Sequence, residues 1–212
     1  MIYIATVPEP HTFAQDCRDP GVAWLASVTP ANEARPKDLW SPFRLDLQAG
    51  FGFLCGYYAM QLSEGQVDHF ISWDGCKCTN PELAYEWSNY RFISGSLNST
   101  KGTLDDKLLD PFEIKEGWFE IDIPSLILST TDVLPPSLLD KATFTLDKLG
   151  LAQDRKALAL RWWWYELHRN KDLSLTGLRK VAPLLACAVE KWIDQGKGDL
   201  PAIPNPINEA VR

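Results

Sequence analysis

No stretch of this 212-residue sequence approaches the ~20 consecutive apolar residues that cross a bilayer, so no membrane-spanning helix is expected. The opening residues, Met1 to Pro8, lack the basic start and long apolar middle of a secretory signal, and cytoplasmic residence is expected. Positive charge is also in short supply. Twenty-one Lys and Arg against 28 Asp and Glu leave a formal charge of −7. That balance argues against a chain that grips nucleic acid unaided, because such affinity comes mostly from cations on phosphates. It leaves room for a catalytic subunit whose substrate is delivered by something more basic. Zinc-type cysteine spacing is missing as well: Cys76 and Cys78 have one residue between them, where structural zinc sites use two to four. Together with Cys17, Cys55 and Cys187 they read as reduced, partly buried thiols, since a cytoplasmic protein does not rest on disulfides. Internal repeats are absent.

What is present is ordinary in bulk and unusual in detail. Hydrophobic residues make up 45% and charged residues 23%, the balance of a globular protein with one sizeable domain or a domain plus an appendage. The nine tryptophans are many for this length, and Trp162, Trp163, Trp164 and Trp192 lie near the C-terminus. A short edge strand is expected within residues 1–10, closed by Pro8 and Pro10. Leu39, Phe43 and Leu47 recur every fourth residue and predict a helix over 38–48, stopped at Gly50. Gly52–Tyr58 and Val67–Trp73 have strand chemistry, and Ser63–Gln66 between them reads as a hairpin turn. A loop at 74–81, a brief helix over 82–87 and another over 98–104 follow. Trp118–Ile123 alternates like a strand. Helices are expected over 138–149, 153–169 and 174–195, the last kinked at Pro183. The fold class is therefore α+β. It divides into an N-terminal extension (1–50), a core (51–125), a helical C-terminal region (126–195) and a loose tail (196–212).

The chemistry is concentrated between Cys55 and Gly102. Val67-Asp68-His69-Phe70 is followed by Ser88-Asn89-Tyr90 and then by Asn98-Ser99-Thr100-Lys101-Gly102. Hydrolysing a phosphodiester requires a base for the water, a cation for the phosphate and leaving oxygen, and donors for the developing charge. His69 is the candidate base, its ordinary pKa lying near neutrality. Asp68 points to the other side of an extended chain and reaches a metal only if the strand ends or twists there. Asn98 offers a neutral oxygen suited to Mg²⁺. Asn89 can tie down the loop and fix the His69 ring, and Lys101, three residues after Asn98, shares its helical face beside a phosphate. Singly, each has a plainer reading: a loop hydrogen bond for Asp-His, caps or turns for the asparagines, a solvated side chain for Lys101. The rings of Trp162 to Trp164 spread around a helix, which suits core packing or a subunit interface better than base stacking.

In that order these residues resemble the HNH (ββα-metal) nucleases, most of all the small HNH proteins of bacterial anti-phage systems, the retron-associated and Septu-type subunits. The nine-residue step from Asn89 to Asn98 is similar to that of RNA-guided HNH domains, and Leu109-Asp110-Pro111-Phe112 is similar to the stretch following the motif in the retron group. The resemblance implies a ββα-metal core and a Mg²⁺- or Mn²⁺-dependent endonuclease acting on DNA. His69, Asn89 and Lys101 would be catalytic, with Asp68 and Asn98 holding the metal. It further implies an ATPase or other defence-system subunit as partner. At the family's zinc-knuckle positions this chain carries Cys55, Tyr58, Ser94 and Leu97, so a structural zinc is not expected there and apolar packing must replace it. The alternative is a catalytically inactive protein of the same fold that docks a partner through its acidic, tryptophan-rich C-terminal half.

Overall fold

The computed structural model describes residues 1–207, and its α+β architecture grows around one short antiparallel pair. Ahead of that pair, residues 1–10 form no strand; they run irregularly and bury Met1, Ile4 and Val7. A π-helical turn leads into α1 (Asp19–Ser27). Within α1, Gly21 lets the Tyr85 ring lie against the helix backbone, where a Cβ would overlap the ring. The helix expected over 38–48 starts late: Pro42 holds Ser41–Phe43 as a 3₁₀ turn, and α2 spans Arg44–Gly50. Phe43 and Leu47 do face the core.

The hairpin expected between 52–58 and 67–73 does not form. Phe53 and Ala59 take positive φ (63° and 56°), which breaks an extended run and leaves a single Leu54–Gln61 bridge. Instead β1 (Gln66–His69) pairs antiparallel with β2 (Tyr90–Ile93), setting Asp68 opposite Arg91 and His69 opposite Tyr90. The strand ends at His69 rather than Trp73 because Ser72 caps α3 (Trp73–Cys76), its Oγ accepting from the Gly75 N–H at 3.2 Å. Two 3₁₀ turns, Pro81–Tyr85 and Trp87–Asn89, return the chain to β2. Ser94 then caps α4 (Gly95–Lys101), which begins earlier than expected and stops at Gly102 (φ 50°).

Alternation along β2 divides the interior in two. Tyr90 and Phe92 pack with Phe13, Phe43, Leu47 and Trp87, so the N-terminal extension shares its core with the strand pair. Ile93 faces the other way, into a second core with Leu97, Trp118 and the C-terminal helices. That second core holds β3 (Phe119–Ile121) against β4 (Leu128–Thr130), together with α5 (Leu139–Lys148) and α6 (Arg155–Arg169). Pro183 breaks the next helix instead of kinking it, giving α7 (Leu175–Val181) and α8 (Pro183–Asp194) with Ala182 non-helical between them. The tail is not loose where it is described. Trp162 Nε1 donates to Ile203 O (2.8 Å) and the Tyr165 hydroxyl to Pro201 O (2.7 Å), laying it along α6; its last five residues lie outside the described ones.

Arg161 is the main polar strut of the second core. Only 1% of it is exposed, and its guanidinium donates to the carbonyls of Leu126 (2.8 Å), Ala152 (2.8 Å) and Leu151. Burial pulls its pKa down to about 10. Arg161→Leu would strand the buried carbonyls of Leu126 and Leu151, while Ala152 O keeps the Leu128 N–H at 3.1 Å, so it should lower the unfolding free energy by about 2–3 kcal/mol. Urea unfolding at constant slope checks this; an unchanged midpoint would mean the carbonyls find other donors.

Candidate functional site

Pleating sends Gln66 and Asp68 to the face of β1 that meets α4, and Val67 and His69 to the opposite face. On the α4 face, Lys101 and Asn98 lie one turn apart and meet the strand in step. Lys101 Nζ stands 3.0 Å from Asp68 Oδ1 and donates to the His69 carbonyl oxygen at 2.8 Å. Asn98 Nδ2 donates to Gln66 Oε1 at 3.0 Å. The side chains of the ion pair are 1% and 2% exposed, for Lys101 and Asp68 respectively. Lys101 is therefore committed to the β1–α4 seam and does not face solvent. Burial pushes the Asp68 carboxyl above the usual carboxylate range, with the Lys101 ammonium opposing it. Asp68 Oδ2 has no hydrogen-bond partner, and neither does the buried Tyr57 hydroxyl, whose pKa rises first by burial and then by the Asp68 charge.

His69 occupies a different environment. Its half-buried ring is edge-on to Trp40 (4.5 Å between centroids) and to Tyr90 (5.0 Å), and Nε2 lies 3.0 Å from the Ala84 carbonyl. A carbonyl only accepts, so Nε2 carries the proton and Nδ1 keeps its lone pair. Burial pulls the pKa of the ring down to about 4, against the opposing effect of the Ala84 hydrogen bond, and the imidazole is neutral at pH 7. The Tyr90 hydroxyl also donates to Ala84 O, at 2.7 Å.

Asn89 fixes that carbonyl in place. Buried at the start of β2, it accepts from Ile71 N (2.8 Å) and donates to the carbonyls of Ile71 (3.0 Å) and Leu83 (3.0 Å). One amide thus clamps both ends of the loop that begins just after His69 and ends at the residue before Ala84. Asp105 supports the same loop from below, its carboxylate accepting from Ser72 N (2.9 Å) and Ser72 Oγ (3.2 Å).

The four residues at the knuckle positions also come together. Tyr58 N–H donates to Cys55 Sγ at 3.5 Å, the Ser94 backbone N–H bonds the same sulfur, and Tyr58 and Leu97 pack in its core. Burial raises the Cys55 thiol pKa. Among the described residues no group of three or more His, Cys, Asp and Glu is arranged to hold a metal. A hard cation with retained waters needs fewer protein ligands than that, and the unpartnered Asp68 Oδ2 and the Asn98 amide oxygen are donors of the right chemistry.

Arg91, opposite Asp68 on β2, forms a buried ion pair with Asp110, and sequence reasoning gave neither residue a role. Arg91 Nε donates to Asp110 Oδ1 at 2.6 Å, a second nitrogen pairs with Oδ2, and the guanidinium lies 3.9 Å over the Phe112 ring. A charged residue between Tyr90 and Phe92 on a strand has to be buried or paired, and that signal was available. The Ala84 carbonyl and Trp40 had no such signal. A scan against protein-family models, a search of curated proteins and a search of solved structures each gave no match.

Two outcomes follow for stability. Lys101→Met leaves a buried, uncompensated carboxylate and should cost about 3–5 kcal/mol, whereas Lys101→Met with Asp68→Leu should recover most of it. Equal losses in urea unfolding for the single and double variants would show that the two charges do not act as a unit. For His69, the folded pKa of about 4 lies below the unfolded value near 6.5. The unfolded chain therefore binds the proton more readily, so this stability is complete above pH ~6.5 and is lost as pH falls toward 4. Relative to His69→Phe, the protein should lose about 2 kcal/mol between pH 7.5 and pH 5; parallel pH profiles would refute the assignment.

Proposed function

We propose that this chain is a metal-dependent HNH-type endonuclease hydrolysing DNA phosphodiester bonds, with His69 as the base that takes the proton of the attacking water. The observation that carries the reading is the hydrogen bond from His69 Nε2 to the Ala84 carbonyl. It fixes the neutral tautomer and leaves Nδ1 of the half-buried ring as a proton acceptor. Asn89 acts through the loop as a positioning residue, keeping Ala84 where the imidazole needs it. Asp68 and Asn98 are the oxygen donors that would hold Mg²⁺ or Mn²⁺, whose charge would stabilise the phosphate and the leaving oxygen. Lys101 holds the backbone of His69 through its carbonyl and balances the Asp68 charge. The chain's acidity fits a subunit that receives DNA with the help of a partner, and the resemblance of its motif suggests an ATPase of an anti-phage system.

A second reading has its own support. The buried Lys101 ammonium already neutralises Asp68, and His69 lies on the opposite face of β1 from Asp68 and Asn98. Both favour a silent member of the fold that docks a partner protein.

Supercoiled plasmid separates the two. Wild-type protein should nick it only with Mg²⁺ or Mn²⁺ and not with chelator, and His69→Ala should be slower by about 100-fold or more with unchanged circular dichroism. Undiminished cutting by His69→Ala would remove His69 from the chemistry. No cutting by the wild type, alone or with its co-purified operon neighbour, would leave the docking reading in place.

A further inference from the structure

Trp40, which packs against His69, also lines a cleft of about 570 Å³, within the size range of small-ligand sites. Trp24, Glu33, Arg35, Lys37, Asp38 and Trp40 line it. We infer that this cleft takes an unpaired stretch of a nucleic-acid strand, one base stacked on an exposed indole face and the flanking phosphates on Arg35 and Lys37. The occupant rests on the nuclease reading; the cleft's chemistry does not.

Three features support the inference. Both indoles are half-buried and lean on the same buried ring: Trp24 and Trp40 each lie 6.3 Å from Tyr85, and Trp24 is also 6.2 Å from Trp73. Both are thus held by packing and both still contribute to the lining of the cleft, where a planar ligand can meet them. The loop between them is held at both ends by buried aromatic donors, Trp73 Nε1 to Glu33 O (2.9 Å) and the Tyr85 hydroxyl to Lys37 O (3.0 Å). The cleft is therefore shaped before anything binds, which lowers the ordering cost of binding. The charges are sorted as well. Asp38 spends its carboxylate on Ser41 N (3.1 Å) and Ser41 Oγ (2.6 Å), whereas Arg35 and Lys37 are exposed and make no ion pair among the described residues. Arg35 and Lys37 beside two tryptophans offset Glu33 and Asp38 in the same lining, so the cleft is locally neutral on a chain of net charge −7, which suits a strand with its bases unstacked.

Fluorescence anisotropy of a labelled single-stranded DNA 12-mer, measured in EDTA so that no cutting is required, tests this. The wild type should bind. Arg35→Glu with Lys37→Glu should weaken binding about tenfold or more and reduce the slope of log K against log salt by about 1.4, the share of two phosphates. Trp24→Ala should weaken binding about tenfold, and Trp163→Ala, which removes an indole 56% exposed elsewhere, should leave it unchanged. No binding by the wild type, unaltered binding by the charge-reversed protein, or tighter binding of a poly-glutamate peptide of equal charge would overturn the inference. If plasmid cutting fails but strand binding follows Arg35 and Lys37, the nuclease reading falls and the cleft stands. Cutting that persists beside charge-independent binding has the opposite meaning.

Discussion

A lysine and an aspartate, each almost wholly shut off from water, fasten α4 to β1, and the geometry of the candidate site depends on that junction. Taking two ions out of water costs several kcal/mol each, and their attraction repays it only where further hydrogen bonds complete the arrangement. Here the ammonium finds the His69 carbonyl in addition to the carboxylate, and the Phe70 ring lies 6.0 Å away. A seven-residue helix has no stability of its own, so α4 exists because Ser94 caps it, Leu97 anchors it in the core and Lys101 ties down its last turn. Asn98 keeps its place beside Gln66 as a result.

On the other face of the strand the organising unit is a chain of polar contacts rather than a charge pair. Asn89 holds the loop ends, the loop presents Ala84, and the Ala84 carbonyl accepts from both Tyr90 and His69. Each link is buried or half-buried, so each donor has a strong reason to keep its partner. The outcome is an imidazole with a defined tautomer, held T-shaped against two aromatic rings and uncharged at neutral pH. Electrostatics and orientation thus come from separate halves of the protein, meeting across a strand four residues long.

Local chemistry made some of this legible in the sequence. The helix over Leu47 up to Gly50, the alternation at Phe119–Ile121 and the long helical stretches after Pro136 correspond to elements found, although Leu39 and Phe43 lie ahead of α2. The ordered set Asp68, His69, Asn89, Asn98 and Lys101 does fall in one local unit, β1, β2, the turn before β2 and α4, but the hairpin expected around it was a different one. Strand partnership was not legible. Gly52–Tyr58 has the aromatic and apolar content of a strand, but the choice between it and Tyr90–Ile93 turns on two positive-φ residues and on which strand can serve two cores at once. The role of Lys101 was hidden for a similar reason. Helical spacing places it beside Asn98 but says nothing about whether that face is wet or dry. Backbone groups such as the Ala84 carbonyl leave no mark in a sequence at all.

The bare α-carbon at Gly21 has a consequence for where this protein can be divided. Because the Tyr85 ring rests on α1 at that point, and Ala84 is its immediate neighbour, the first helix of the chain supports the carbonyl that orients the imidazole more than forty residues further on. The opening fifty residues are therefore no detachable leader to a self-sufficient core. An excised piece beginning at Phe51 would carry every motif residue and still lack the wall against which its histidine is aligned.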